Sequence, residues 1–182
     1  MQEFLSNKQN PVPEKKLEQV LLEEGTLLST ASGVSMLPCI RPGKDILHLS
    51  YPEKRAERYD VILYKRRNGN YILHRVMEVN ESNYVLCGDN QYRLEYGIDD
   101  SQVLGILQGF YRGEHYVDCK SSQCYRIYAI IWCKSLRLRK WMLRIMNIGR
   151  RGVEKWKKIQ NLYSGFIAIA KSICGWSHYY QE

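Results

Sequence analysis

With 182 residues, 45% of them apolar and 25% charged, the chain is long enough to bury a real core, which excludes a disordered tail or a short disulfide-stapled scaffold. The net charge of +8 is unevenly placed: residues 1–125 carry 15 Lys/Arg against 17 Asp/Glu, whereas residues 126–182 carry 12 against 2. Such an asymmetry points to a basic appendage that meets phosphates, either of lipid headgroups or of nucleic acid.

In chain order, Met1 to Glu14 is polar, lacks the apolar stretch of a signal peptide, and contains Pro11 and Pro13, which keep it out of packed elements. Lys15 to Glu24 predicts a short amphipathic helix stopped by Gly25. From Thr26 to Arg112 the signals are those of strands. Ile46–Leu49, Val61–Tyr64, Tyr71–Val76, Tyr84–Cys87 and Val103–Leu107 are short, rich in β-branched and aromatic residues, and separated by turn residues. Asn68-Gly69 is a hairpin signal between the second and third of them.

Past Tyr125 the texture changes. Within Arg126 to Ile148, Leu136, Leu138, Trp141, Met142, Ile145 and Met146 share one broad helical face, and Val153 to Cys174 predicts a second helix. The expected organisation is a tail and short helix over 1–25, a mainly antiparallel β domain over 26–118, and a basic, aromatic-rich helical appendage over 119–182. No run reaches the roughly 18 apolar residues of a membrane-spanning helix.

Six scattered cysteines without a CxxC pair read as reduced thiols. A zinc set of His115, Cys119, Cys124 and Cys133 matches no familiar spacing, so no metal or other cofactor is expected. With no signal peptide and no spanning segment, the expected location is cytoplasmic, or peripheral on a membrane.

The chemistry-bearing residues lie in Ser32-Gly33-Val34-Ser35-Met36-Leu37-Pro38 and in Leu73-His74-Arg75-Val76. A serine is a poor nucleophile at its own pKa and needs a base within hydrogen-bond reach. Gly33 relaxes the backbone before Ser35, and Pro38 stops the segment from continuing as a ladder. His74 alternates with Ile72 and Val76 on one face of a strand, where a histidine is either a hydrogen-bonded core residue or a base tuned by partial burial.

These two segments, with Tyr59-Asp60-Val61-Ile62 and Gly88-Asp89-Asn90, resemble the ordered boxes of the type I signal peptidases, whose fold also serves the LexA-type self-cleaving repressors. The resemblance covers about residues 31–112. Histidine before Arg75-Val76 is similar to the endoplasmic-reticulum and sporulation branch, which pairs serine with histidine where other members use lysine. It implies Ser35 as nucleophile and His74 as base. A carboxylate after Gly-Asp-Asn completes the site, at Glu95 by position, with Asp99 and Asp100 also nearby and Asp89 bracing the turn. Gly33 occupies the place where the family often has an oxyanion-binding serine, and Ser32 is one position off. Members of the family carry a membrane anchor, and none is expected in this chain.

The resemblance implies a serine endopeptidase cutting a leader or signal segment of a peptide or precursor protein. The alternatives are a self-cleaving regulator and a catalytically silent binding module on a membrane surface. Tyr128, Ile131, Trp132, Trp141 and Trp156 interleave with Arg137, Arg139, Lys140, Arg144 and further basic residues, a pattern suited to an anionic membrane surface. Packing of that face on the β domain is the alternative. Specific nucleic-acid binding is not expected, since no helix-turn-helix module precedes the β region.

Overall fold

A computed structural model describes residues 17–137 and 139–141. Helix α1 (Leu17–Glu24) buries Leu21 and ends at Gly25. Gly25 adopts φ 72° and donates its amide to the Leu21 carbonyl at 3.1 Å, the left-handed cap that glycine accommodates without steric cost.

Eight strands follow: β1 (Thr26–Thr30), β2 (Ile46–Ser50), β3 (Val61–Lys65), β4 (Tyr71–Val79), β5 (Asn83–Cys87), β6 (Glu95–Asp99), β7 (Val103–Arg112) and β8 (His115–Asp118). They form one antiparallel sheet in the order β1-β2-β7-β3-β4-β5-β6, with β8 paired to β7. The five predicted strands are all present, β4 and β7 running several residues further. β6 carries a glycine at its centre and β8 is only four residues long, so neither shows a clear alternation in sequence.

Both faces of the sheet are covered, as the nearly continuous burial of β3 requires. Val61 and Leu63 join Leu47, Leu49, Leu107 and Phe110 against Leu21, Met36, Cys39, Ile40 and Tyr125. On the opposite face Ile62 and Tyr64 pack with Val76, Tyr84, Leu86, Ile98 and Ile106.

The second helix, α2 (Gln123–Lys134), starts three residues before the predicted Arg126, because the Ser122 hydroxyl accepts the Tyr125 amide and caps it. Its buried face is Tyr125, Ala129, Trp132 and Cys133. Of the predicted apolar helical face, Leu136 packs partly buried beside Met77, Val85, Cys87 and Cys133, whereas Trp141 is exposed. Two of the proposed membrane-facing residues are reassigned, since Trp132 and Arg139 are buried. The rest of the predicted first helix, the whole predicted second helix and Trp156 lie outside the described residues. Among the described residues no helix is long and apolar enough to cross a membrane. No group of three or more His, Cys, Asp or Glu side chains there is placed to hold a metal ion, so His115, Cys119, Cys124 and Cys133 do not converge.

Candidate active site

Ser35 sits in the long connection between β1 and β2, and the sequence fixes that loop from within. Met36, Cys39 and Ile40 are buried in the core on either side of a tight turn closed by the Ile40 amide and the Met36 carbonyl at 2.9 Å. Buried Asp45 closes the far end, accepting from the Arg41 backbone and guanidinium and from Arg112 Nη2 at 2.7 Å. Arg112 also donates to the Cys39 carbonyl at 2.7 Å. Ser35 is therefore held half-buried between an exposed Val34 and a buried Met36. Gly33 and Ser32 are exposed on the same loop; Gly33 has no positive φ, and a Cβ there would meet nothing within 4 Å. The conformational freedom expected of Gly33 is thus not drawn on.

The glycine that the site requires is Gly88. The register pairs Arg75 with Cys87, so the next position places Gly88 across from His74. A Cβ built on Gly88 would lie 2.7 Å from the Ser35 carbonyl oxygen, 3.1 Å from Ser35 Cβ and 3.0 Å from His74 Nε2. Two atoms at 3.1 and 3.0 Å from one point are at most about 6.1 Å apart, so Ser35 and the Nε2 edge of His74 converge over the bare glycine. Among the described residues they form no direct hydrogen bond. A contact of this kind commonly tightens only when substrate binds.

The turn after β5 ties the two loops together. The Asn90 amide donates to the Ser35 carbonyl at 2.7 Å, and its side-chain nitrogen donates to the Val34 carbonyl at 3.2 Å. Asp89 points the other way. Fully buried, it receives Arg75 Nε and Nη2 at 2.8 and 2.7 Å and the Tyr128 hydroxyl at 3.2 Å. Its carbonyl accepts Trp132 Nε1 at 2.8 Å. Asp89 is a brace for the turn and does not reach the imidazole. The chain just beyond α2 reinforces it, because buried Arg139 donates to the Gly88 and Gln91 carbonyls at 3.1 Å each.

Glu95, the first residue of β6, meets His74 from the opposite side, its Oε1 lying 3.2 Å from Nδ1. Asp99 lies at the other end of β6, and Asp100 pairs with Arg55 at 3.0 Å. Two residues missed in the sequence hold Glu95. The Tyr64 hydroxyl donates to Oε2 at 2.7 Å and lies 3.4 Å from His74 Nδ1, and Arg66 donates from Nε and Nη2 to both carboxylate oxygens. The only sequence signal for either was position: both belong to the hairpin that carries His74.

The electrostatics follow. Burial lowers the His74 pKa, helped by the Arg66 charge, and Glu95 and Asp89 only partly offset it. Burial alone would raise Glu95, but the hydrogen bonds from Arg66 and Tyr64 and the charge of His74 outweigh it and hold the carboxyl below its ordinary range. At neutral pH the pair is thus a carboxylate and a neutral imidazole. With Nδ1–H donated to Glu95, Nε2 is an acceptor on the Ser35 side. An acceptor nitrogen within about 6.1 Å of a serine Cβ, oriented by a carboxylate, has parts of an acyl-transfer site. No protein-family model, no curated protein and no solved structure matches the chain.

Proposed function

We propose that the protein is a serine endopeptidase of the signal-peptidase type, on a LexA-like β fold, acting on a leader or signal segment of a peptide or precursor protein. The observation that carries the reading is the convergence of Ser35 and the Nε2 edge of His74 over Gly88, with Glu95 on the Nδ1 side. In this mechanism His74 Nε2 takes the Ser35 proton as Oγ attacks the scissile carbonyl. The imidazolium, stabilised by Glu95, then protonates the leaving amine. Water, deprotonated by the same nitrogen, attacks the acyl carbon, and the imidazolium returns that proton to Ser35 Oγ as the acyl group leaves as the carboxylic acid. The Ser35 backbone amide, which donates to no acceptor among the described residues, serves as one oxyanion donor.

The test is covalent labelling with a fluorophosphonate, read by intact mass on wild type, Ser35→Ala and His74→Ala. One adduct on wild type and none on either variant supports an activated serine. No adduct on folded wild type, with anionic lipid supplied, overturns the reading in favour of a silent binding module.

A further inference from the structure

The two faces of α2 have different tasks. Tyr125, Trp132 and Cys133 lie against the β core, and Trp132 and the following Arg139 grip the turn that holds Ser35. On the opposite side Ile127, Ile131 and Trp141 are 43%, 47% and 61% exposed. Ile127, Ile131 and Lys134 recur at helical spacing along one stripe of α2, and exposed Trp141 lies in the helical stretch of residues 136, 137 and 139–141 that follows the Ser135 cap. Exposed Arg126, Lys134 and Arg137 flank the stripe. No acidic residue occurs between Asp118 and Glu154, an interval holding nine Lys/Arg. Exposing two isoleucines and a tryptophan to water is unfavourable, and a surface that is basic without a compensating acid repels itself.

We infer that the Ile127–Ile131 stripe of α2, together with Trp141 of the helical stretch beyond its cap, is a docking surface for an anionic lipid bilayer. A protein partner with an acidic rim would satisfy the charge, but a tryptophan among isoleucines with only cations beside them matches the layered chemistry of a bilayer interface. The indole sits at headgroup depth, the isoleucines enter the acyl boundary, and the guanidinium and ammonium groups meet lipid phosphates. Tyr128, Trp132 and Arg139 take no part, being engaged inside. Because the inward face of the same helix holds the 88–91 turn, docking sets the Ser35 loop at a fixed height above the lipid.

The test uses the full chain and phosphatidylcholine vesicles with and without phosphatidylglycerol, read by co-sedimentation. The expected result is binding to the anionic vesicles that weakens about ten-fold or more in the triple variant Ile127→Ser/Ile131→Ser/Trp141→Ser and falls with added salt. None of the three side chains is buried in the core, so the circular dichroism spectrum of the variant should match wild type. Ser35→Ala should bind as wild type does, which separates this inference from the peptidase reading. Absence of binding to anionic vesicles overturns it. So does binding that the triple variant retains in full, or equal retention of a DNA or RNA duplex by wild type and variant with no vesicle preference.

Discussion

Arg66 reaches back across the hairpin and forks onto both oxygens of Glu95, the carboxylate that faces His74 Nδ1. A bidentate guanidinium fixes the plane of a carboxylate as well as its charge, so the imidazole takes its orientation from a residue that never touches it. Replacing Arg66 by Leu removes a cation that lowers the His74 pKa. The acid limb of the pH profile of kcat/KM should move to higher pH, and kcat should fall several-fold as Glu95 loses its plane. Glu95→Gln should act oppositely on pKa, lowering it further, while cutting kcat by about 10²–10⁴-fold, the usual scale of a lost acid–base arrangement. Imidazole NMR titration of His74 in the two variants checks both directions without requiring turnover.

The pH dependence of wild type follows from the same pair. His74 is held below its ordinary value of 6.5 and Glu95 below 4.5. Well above pH 6.5 both states of the chain carry a neutral His74, and its contribution is complete. As pH falls through 6.5 the unfolded chain takes up a proton that the folded chain resists, so stability declines until the folded pKa is passed. Glu95 adds a second loss of the same sign below pH 4.5, where the unfolded carboxyl protonates first. Denaturant midpoints should therefore drop on acidification below pH 6.5, and drop less in His74→Phe. Activity should persist below pH 6.5, because the base stays unprotonated there.

Gly88 is the position where substitution should be least tolerated. A methyl group 2.7 Å from the Ser35 backbone oxygen has no flexible partner to push aside, and it also stands 3.0 Å from Nε2. Gly88→Ala should cost about 1–3 kcal/mol, the range of overpacking in a filled site, and should abolish fluorophosphonate labelling. Gly33→Ser is the contrasting change. Its Cβ meets nothing within 4 Å, so the variant should fold with a melting temperature like that of wild type.

How much of this was legible beforehand depended on whether the signal was local. The Gly25 cap, the Asn68-Gly69 hairpin and the β-branched runs are set by neighbours in sequence, and all three are where the pattern put them. Ser35 and His74 stand in boxes and Glu95 follows by position, but their convergence depends on a register that pairs β4 with β5 and β5 with β6. Tyr64 and Arg66 read as ordinary hairpin residues, since nothing local reports that Glu95 will arrive opposite them. The α2 face went wrong for a related reason. Trp132 and Arg139 look like interfacial residues when isolated from the Asp89 and Gly88 carbonyls that claim them.

If the helix were only an appendage, neutral changes on its inner face would leave the chemistry alone. Trp132 Nε1 is instead one of the groups that position the 88–91 turn, donating to the Asp89 carbonyl at 2.8 Å in a buried place. Trp132→Phe keeps most of the apolar bulk but leaves that carbonyl without its donor, a loss of about 1–3 kcal/mol. The turn also carries Asn90, whose amide holds the Ser35 carbonyl, so the displacement should reach the nucleophile. The expected outcome is a folded protein with a lower melting temperature and fluorophosphonate labelling slowed about ten-fold or more, on the general sensitivity of reacting groups to small misplacements. Trp141→Phe, on the exposed side of the same helix, should change neither. Equal effects of the two substitutions would mean that the helix acts on the site only through overall stability.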